Sequence, residues 1–213
     1  MFLVNASALS YVWQLKMIWF ETMAGKQAKI LSDQHIDDLL CYADSSRYPD
    51  RNRVMVLLSL KAGLRAAEIA NLTWDMVVDP AGNIDTKIEL HDRAAKMGSG
   101  RTIPVHPDLG AALTLWREQS NGFGHVILSE RGKRMKPLSI VIWFARGYQA
   151  LGLDGCSSHS GRRTFITRAA RVVHKAGGSL RDVQLLAGHR SIQTTQRYID
   201  GDSDAQRRLV GLI

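Results

Sequence analysis

Six residues in this sequence carry reactive or charged side chains at suggestive spacings. The C-terminal third reads His159-Ser160-Gly161-Arg162, then Leu186-Ala187-Gly188-His189, with Tyr198 nine residues beyond that histidine. Upstream lie Ala62-Gly63-Leu64-Arg65 and a lone Lys96. Together they supply two guanidinium forks, an ammonium, two imidazoles and a phenol, a set suited to holding and attacking a phosphodiester without a metal. His159 and Arg162 are three apart and share a face if they lie on a helix. Ser157 or Ser158 is placed to cap that helix, whose N-terminal amides would favour an anion. Each residue taken singly has an ordinary alternative. Arg162, Arg163, Arg168 and Arg171 read equally as a solvated basic face, His189 as a capping or surface histidine, and Tyr198 as packing. Their joint order and spacing give the chemical reading its weight.

The rest of the composition is compatible with that chemistry. A length of 213 residues, 45% of them hydrophobic and 23% charged, suits one soluble globular domain with a single core. The chain has 28 Lys and Arg against 20 Asp and Glu, a net charge of +8. Such an excess points to a polyanionic partner, most often nucleic acid. Cys41 and Cys156 are too few and too isolated for a disulfide framework or a zinc site, which fits a reducing, cytoplasmic setting. Residues 1–24 are apolar and aromatic. They lack a basic n-region, however, and Gln14, Lys16 and Glu21 interrupt them, so they suit neither a signal peptide nor a membrane span. They read either as an amphipathic helix docking on the body or a partner, or as an upstream extension with Met23 as the start.

Several elements must position these groups. Ser32 reads as the N-cap of a helix with Ile36, Leu39, Leu40 and Ala43 on one face. Residues 47–52 read as a polar turn. A further helix carries Val54, Leu57, Leu58 and Lys61 and ends at Gly63, and a short one with Glu68, Ile69 and Leu72 follows Arg65. The pattern changes at Trp74. Residues 76–78 and 84–90 read as strands joined through Asp79-Pro80-Ala81-Gly82-Asn83, and 101–105 as a third strand after a polar loop at 92–100. His106-Pro107-Asp108 opens another helix, and further helices are expected at about 138–150, 159–176, 179–187 and 191–198, punctuated by Gly177-Gly178 and Gly188. The expected fold class is mainly α with a small antiparallel β-sheet (α+β), without repeats and without a linker long enough to separate a pair of full domains.

The segment from His159 to Tyr198 resembles the C-terminal signature of the tyrosine recombinases, the phage integrase family: His-x-x-Arg, a Leu-Gly-His-like turn, and Thr-x-x-Tyr, here Thr195-Gln196-Arg197-Tyr198. Ala62-Gly63-Leu64-Arg65-Ala66-Ala67-Glu68-Ile69 is similar to the family's first arginine box, and residues 96–105, Lys96 to Val105, to its β-hairpin lysine segment. The resemblance implies the catalytic-domain fold of that family. It makes Tyr198 the nucleophile that forms a 3′-phosphotyrosyl link to DNA and releases a 5′-hydroxyl. A free phenol has a pKa of about 10, so its proton must leave as attack proceeds. By the same resemblance Arg65, Arg162 and His189 stabilise the transition-state oxygens, His159 acts as a base or proton shuttle, and Lys96 protonates the leaving oxygen. Glu68 is then a supporting carboxylate that orients an arginine or histidine, and Arg101 and Arg163 contact DNA. Double-stranded DNA is the implied partner, with a homotetramer assembled on paired sites and no membrane.

No cofactor is expected. The covalent link conserves bond energy, and the sequence has no Walker-type phosphate loop. The remaining histidines, His35, His91, His106, His125 and His174, are scattered. Asp200, Asp202 and Asp204 mimic the start of a calcium loop, but Ala205 stands where its Gly is needed and Gly211 where its Glu is needed. The expected organisation is an N-terminal extension over 1–30, a catalytic domain over 31–200, and a tail helix over 201–213 docking in cis or in trans. Thirty residues before Leu31 are too few for the family's DNA-clamping domain. The chain thus reads as a stand-alone catalytic domain, as in short recombinases that invert fimbrial promoters, or as a piece of something larger. Gly161 departs from the family pattern, which has a bulky apolar residue there. Two alternatives to strand exchange stay open: a type IB topoisomerase-like activity, and a DNA-binding accessory or regulator with little or no catalysis.

Overall fold

The computed structural model describes residues 28–95, 98–198, 210, 211 and 213. The expectations for the segment before residue 28, for Lys96, for Asp200, Asp202 and Asp204 and for most of the tail lie outside that set. Helix α1 (Asp33–Asp44) begins where the sequence places a cap: the Ser32 hydroxyl accepts from the His35 N–H at 3.2 Å, and Leu39 and Ala43 turn fully inward. Helix α2 (Pro49–Lys61) is the centre of the molecule. Its residues from Val54 to Leu60 are buried on every side, so it shows little amphipathic contrast and has neighbours all round. Helices α1, α4 (Pro107–Gln119) and α6 (Ser160–Val172) pack around it. The short α3 (Ala66–Asn71) packs on α5 (Pro137–Ala150).

Two expectations from sequence are corrected. Residues 47–52 are not a polar turn. Pro49 opens α2, where its missing N–H is harmless, and Arg51 and Asn52 are buried. Arg51 bonds the Asn52 side chain and the Leu128 carbonyl, so polar residue types here mark a satisfied interior cluster. Residues 76–78 are not a strand either. Trp74–Met76 form a 3₁₀ turn closed by Met76 N–H to the Thr73 carbonyl and Val77 N–H to the Trp74 carbonyl, and only a single bridge, Val78 to Ile84, survives of the pairing. The intervening turn does form, with Asp79 accepting from Asn83 N–H through its side chain. The sheet of the described residues is one antiparallel pair, β1 (Lys87–Leu90) with β2 (Arg101–Pro104), in the register Ile88 opposite Ile103.

The C-terminal third is helical. After α6 a 3₁₀ turn (Val173–Ala176) closes on Gly177, and α7 (Leu180–Ala187) starts with Ser179 and Asp182 capping each other. The five-residue α8 (Ile192–Gln196) follows. The apolar interior is split. The main cluster centres on α2. A smaller one joins Ile166, Ala170, Val173, Val183 and Ala187, with Phe165, Leu180 and Tyr198 packed against it. Among the described residues no helix is long and apolar enough to cross a membrane.

Candidate active site

The site lies where the two apolar clusters meet. Arg162, one turn into α6, is only 3% exposed and reaches across that junction. One of its terminal nitrogens donates to the Gly63 carbonyl at 2.6 Å, and the other donates to the Ala187 carbonyl at 2.6 Å and lies 3.1 Å from Nε2 of His189. Gly63 makes the first contact possible. It sits at φ +63° just past α2, and a Cβ there would fall 2.4 Å from the Phe165 ring. The same turn delivers Arg65, whose backbone N–H and guanidinium both bond Glu68, the latter at 2.6 Å.

Glu68 is completely buried and carries a second arginine. Arg101 from β2 grips it with two nitrogens at 2.9 and 3.2 Å and sends its Nε to the Leu186 carbonyl at 2.8 Å. Arg101 and Arg162 therefore take up carbonyls at the C-terminal end of α7, which have no partner within the helix. Beyond that end Gly188 turns left-handed, at φ +63°, and aims His189 back at the site. Gln184 clamps the histidine backbone, accepting from its N–H at 3.1 Å and donating to its carbonyl at 2.9 Å. The His189 ring lies between Arg162 on Nε2 and Thr195 on Nδ1, the latter at 3.0 Å. Tyr198 stacks on that ring, with centroids 5.4 Å apart, and Arg163 lies over the tyrosine at 5.9 Å.

Three guanidinium groups face one carboxylate here, so the site is strongly positive. Burial works against ionising Glu68, but the hydrogen bonds and charge of Arg101, joined by Arg65, outweigh it and hold the carboxyl down at about 2. Burial, with Arg65 adding repulsion, lowers Arg162 to about 10, which leaves it charged at neutral pH. Burial, followed by repulsion from Arg162, Arg65 and Arg101, depresses His189 to about 4, so its ring is neutral at rest. A cluster with this surplus of fixed cations favours an incoming anion, and most of all one that gains negative charge as it reacts.

The structure thus brings Arg65, Arg162, His189 and Tyr198 into one site. His159 is exposed at the N-cap of α6, its own N–H held by the Ser157 hydroxyl at 3.3 Å. The N-cap position is His159, not Ser157 or Ser158, and its side chain makes no capping hydrogen bond. Arg101, expected to contact DNA, has a side chain 6% exposed and is the partner of Glu68. Arg163 is half-buried beside Tyr198. Lys96 is outside the described residues, but the chain that follows it, Gly98 to Arg101, forms one wall of a cleft of about 460 Å³ whose other wall includes Gln184, His189 and Arg190. Sequence reasoning gave no role to Thr195, although that residue stands in the signature, and missed Gln184. For Thr195 the only signal was its place three residues before Tyr198, and for Gln184 there was none.

The model of the phage integrase family matches residues 29–204. The chain belongs to that family. Among curated members of the integrase family it is 26% identical over 186 residues to the tyrosine recombinase XerC of Herpetosiphon aurantiacus, covering 83% of this chain and 57% of that protein. It is 29% identical over 174 residues to the tyrosine recombinase XerA of Thermococcus kodakarensis, covering 80% of this chain and 57% of that protein. It therefore spans somewhat over half the length of the curated relatives it matches. A crystal structure of XerA recombinase superposes with a TM-score of 0.69 at 22% identity, over 88% of this chain and 65% of that one. The Tn1549 transposon integrase in complex with a circular intermediate DNA gives 0.67 at 18% identity, over 89% of this chain and 67% of that one. This integrase-family chain shares their fold: mostly helical, with a small antiparallel sheet.

Proposed function

We propose that this chain is a site-specific DNA recombinase or integrase that cuts and rejoins strands through a tyrosine. The observation that carries the reading is the stack of Tyr198 on His189, whose ring is in turn bonded by the buried, multiply anchored Arg162. The Tyr198 oxygen attacks phosphorus, the bond from phosphorus to the 5′-oxygen breaks, and a 3′-phosphotyrosyl link forms. The phenolic proton leaves through His159, and Lys96 supplies a proton to the departing 5′-oxygen. Arg65, Arg162 and His189 donate to the non-bridging oxygens, where negative charge accumulates. Attack by a 5′-hydroxyl from the partner strand reverses the step and completes exchange. Double-stranded DNA is the substrate, in keeping with the net charge of +8 and with the DNA complexes among the solved relatives. Four copies assembled on paired sites carry out the exchange.

A nicked suicide duplex tests this, built on a site mapped by footprinting the DNA that flanks the gene. The wild-type chain should form a band on a denaturing gel in which protein is bonded to DNA. Tyr198→Phe should lose that band and keep DNA binding. Arg65→Ala or Arg162→Ala should slow the band's appearance by about 10²–10³, the usual effect of removing one preorganised donor to a transition-state oxyanion. An adduct that persists in Tyr198→Phe refutes the assignment. DNA binding with no adduct from the wild-type chain favours a regulatory role.

A further inference from the structure

We propose that Thr195 is a positioning residue whose hydroxyl partners Nδ1 of His189 whether or not that nitrogen bears the proton, and so lets the ring exchange its proton between its two nitrogens when phosphate enters. This inference rests on the strand-cleavage reading above. Thr195 is completely buried, although threonine on a short exposed helix such as α8 would ordinarily face water. Its hydroxyl stands 3.0 Å from Nδ1 of His189, and its carbonyl accepts the Tyr198 N–H at 3.1 Å. One residue thus ties the histidine to the turn that presents the tyrosine.

The donor and acceptor roles follow from the partners. A guanidinium can only donate, so the contact from Arg162 makes Nε2 of His189 an acceptor with no proton. The proton of the neutral ring is then on Nδ1 and is given to the Thr195 oxygen. In this arrangement His189 has nothing to donate to a phosphate. To become a donor it must carry its proton on Nε2, and Nδ1 must then accept. A hydroxyl permits this because it rotates to donate or accept, whereas a carboxylate could only accept and would fix the proton on Nδ1. When Arg162 turns a nitrogen to the phosphate, Nδ1 loses a proton, Nε2 gains one by exchange with solvent, and the ring stays neutral. The groups facing this ring are Arg162 on α6, Arg65 and Glu68 at α3, Arg101 on β2, and Tyr198 after α8. The three cations among them disfavour the alternative, a doubly protonated ring.

Thr195→Val keeps the buried shape and removes the hydroxyl, and Thr195→Ser restores it. Ring nitrogen NMR of the histidine-labelled chain should find the His189 proton on Nδ1 in free protein and on Nε2 in saturating inorganic phosphate. Thr195→Val should lose this exchange and Thr195→Ser should keep it. On the suicide duplex Thr195→Val should form adduct at least tenfold more slowly than wild type, and Thr195→Ser within about threefold of it. A wild-type ring with its proton on Nε2 in free protein, or a folded Thr195→Val as fast as wild type, overturns the proposal. If wild type forms no adduct at all, the function reading fails, while the NMR arms still decide whether Thr195 permits the exchange.

Discussion

At the scale of single residues, Arg162 and Arg65 are bound differently, and substitution should separate them. Arg162 satisfies the Gly63 and Ala187 carbonyls and meets His189 from one planar fork. Lysine at this position offers a point charge that cannot span those partners, and it leaves a buried carbonyl unpaired. Arg162→Lys should lower stability by about 2–3 kcal/mol in urea unfolding and slow adduct formation more than tenfold. Arg65 is 23% exposed, and its partner Glu68 keeps Arg101 when Arg65 changes. Arg65→Lys should therefore lower stability by under about 1 kcal/mol while slowing cleavage as much. Equal losses of stability would refute this division. That Arg65, Arg162, His189 and Tyr198 gather was legible in the sequence, because packing and solvation alone do not impose one fixed order and spacing on His, Arg and Tyr. What Arg162 bonds was not legible, since backbone carbonyls have no side-chain signature. The pairing of Arg101 with Glu68 was not legible either, since the two lie 33 residues apart on different elements.

At the scale of elements, helices with a clean apolar period were legible and locally irregular stretches were not. Ser32 and the spacing of Leu39 and Ala43 announce α1. Met76 to Val78 are apolar enough to suggest a strand, but the burial of Met76 and Val77 rather than ladder pairing is what that composition reflects here. Gly161 was visible as a departure from the family pattern, and its reason lies in helix crossing. A Cβ at Gly161 would sit 2.4 Å from Oγ of Ser59 and 3.0 Å from its Cβ, so α6 crosses α2 at backbone contact. That close approach sets the height at which Arg162, the next residue, enters the site. Gly161→Ala should destabilise the fold by about 1–3 kcal/mol through overpacking, with adduct formation falling as Arg162 is displaced. Ser59→Gly in the same chain should return some of both losses, a coupling that a double-mutant cycle measures directly. Strictly additive effects would show that the two helices do not meet as described.

At the scale of the whole molecule, the two apolar clusters are bridged by a charged layer as well as by packing. Arg162 spans from Gly63 on the main body to Ala187 on the smaller one, and Arg101 spans from Glu68 to the Leu186 carbonyl. Acid should weaken this bridge in two steps. The ordinary histidine value is 6.5 and that of folded His189 about 4. Between those pH values the unfolded chain binds a proton that the folded chain excludes, so stability falls as pH drops through that window. Glu68 has an ordinary value of 4.5 and a folded value of about 2. Its contribution is fully present above 4.5 and is lost as pH falls from there toward 2. Stability from urea midpoints should therefore decline continuously from about pH 6.5 downward, by on the order of 2 kcal/mol before Glu68 begins to titrate. His189→Gln should flatten the upper range of that curve and leave the lower range in place. Glu68→Gln should lower stability at neutral pH, because Arg65 and Arg101 then share no carboxylate, and should flatten the lower range instead. If His189→Gln and wild type lose stability in parallel between pH 6.5 and 4.5, the ring is not held neutral by its cationic neighbours, and the positive field assigned to the site is weaker than its geometry implies.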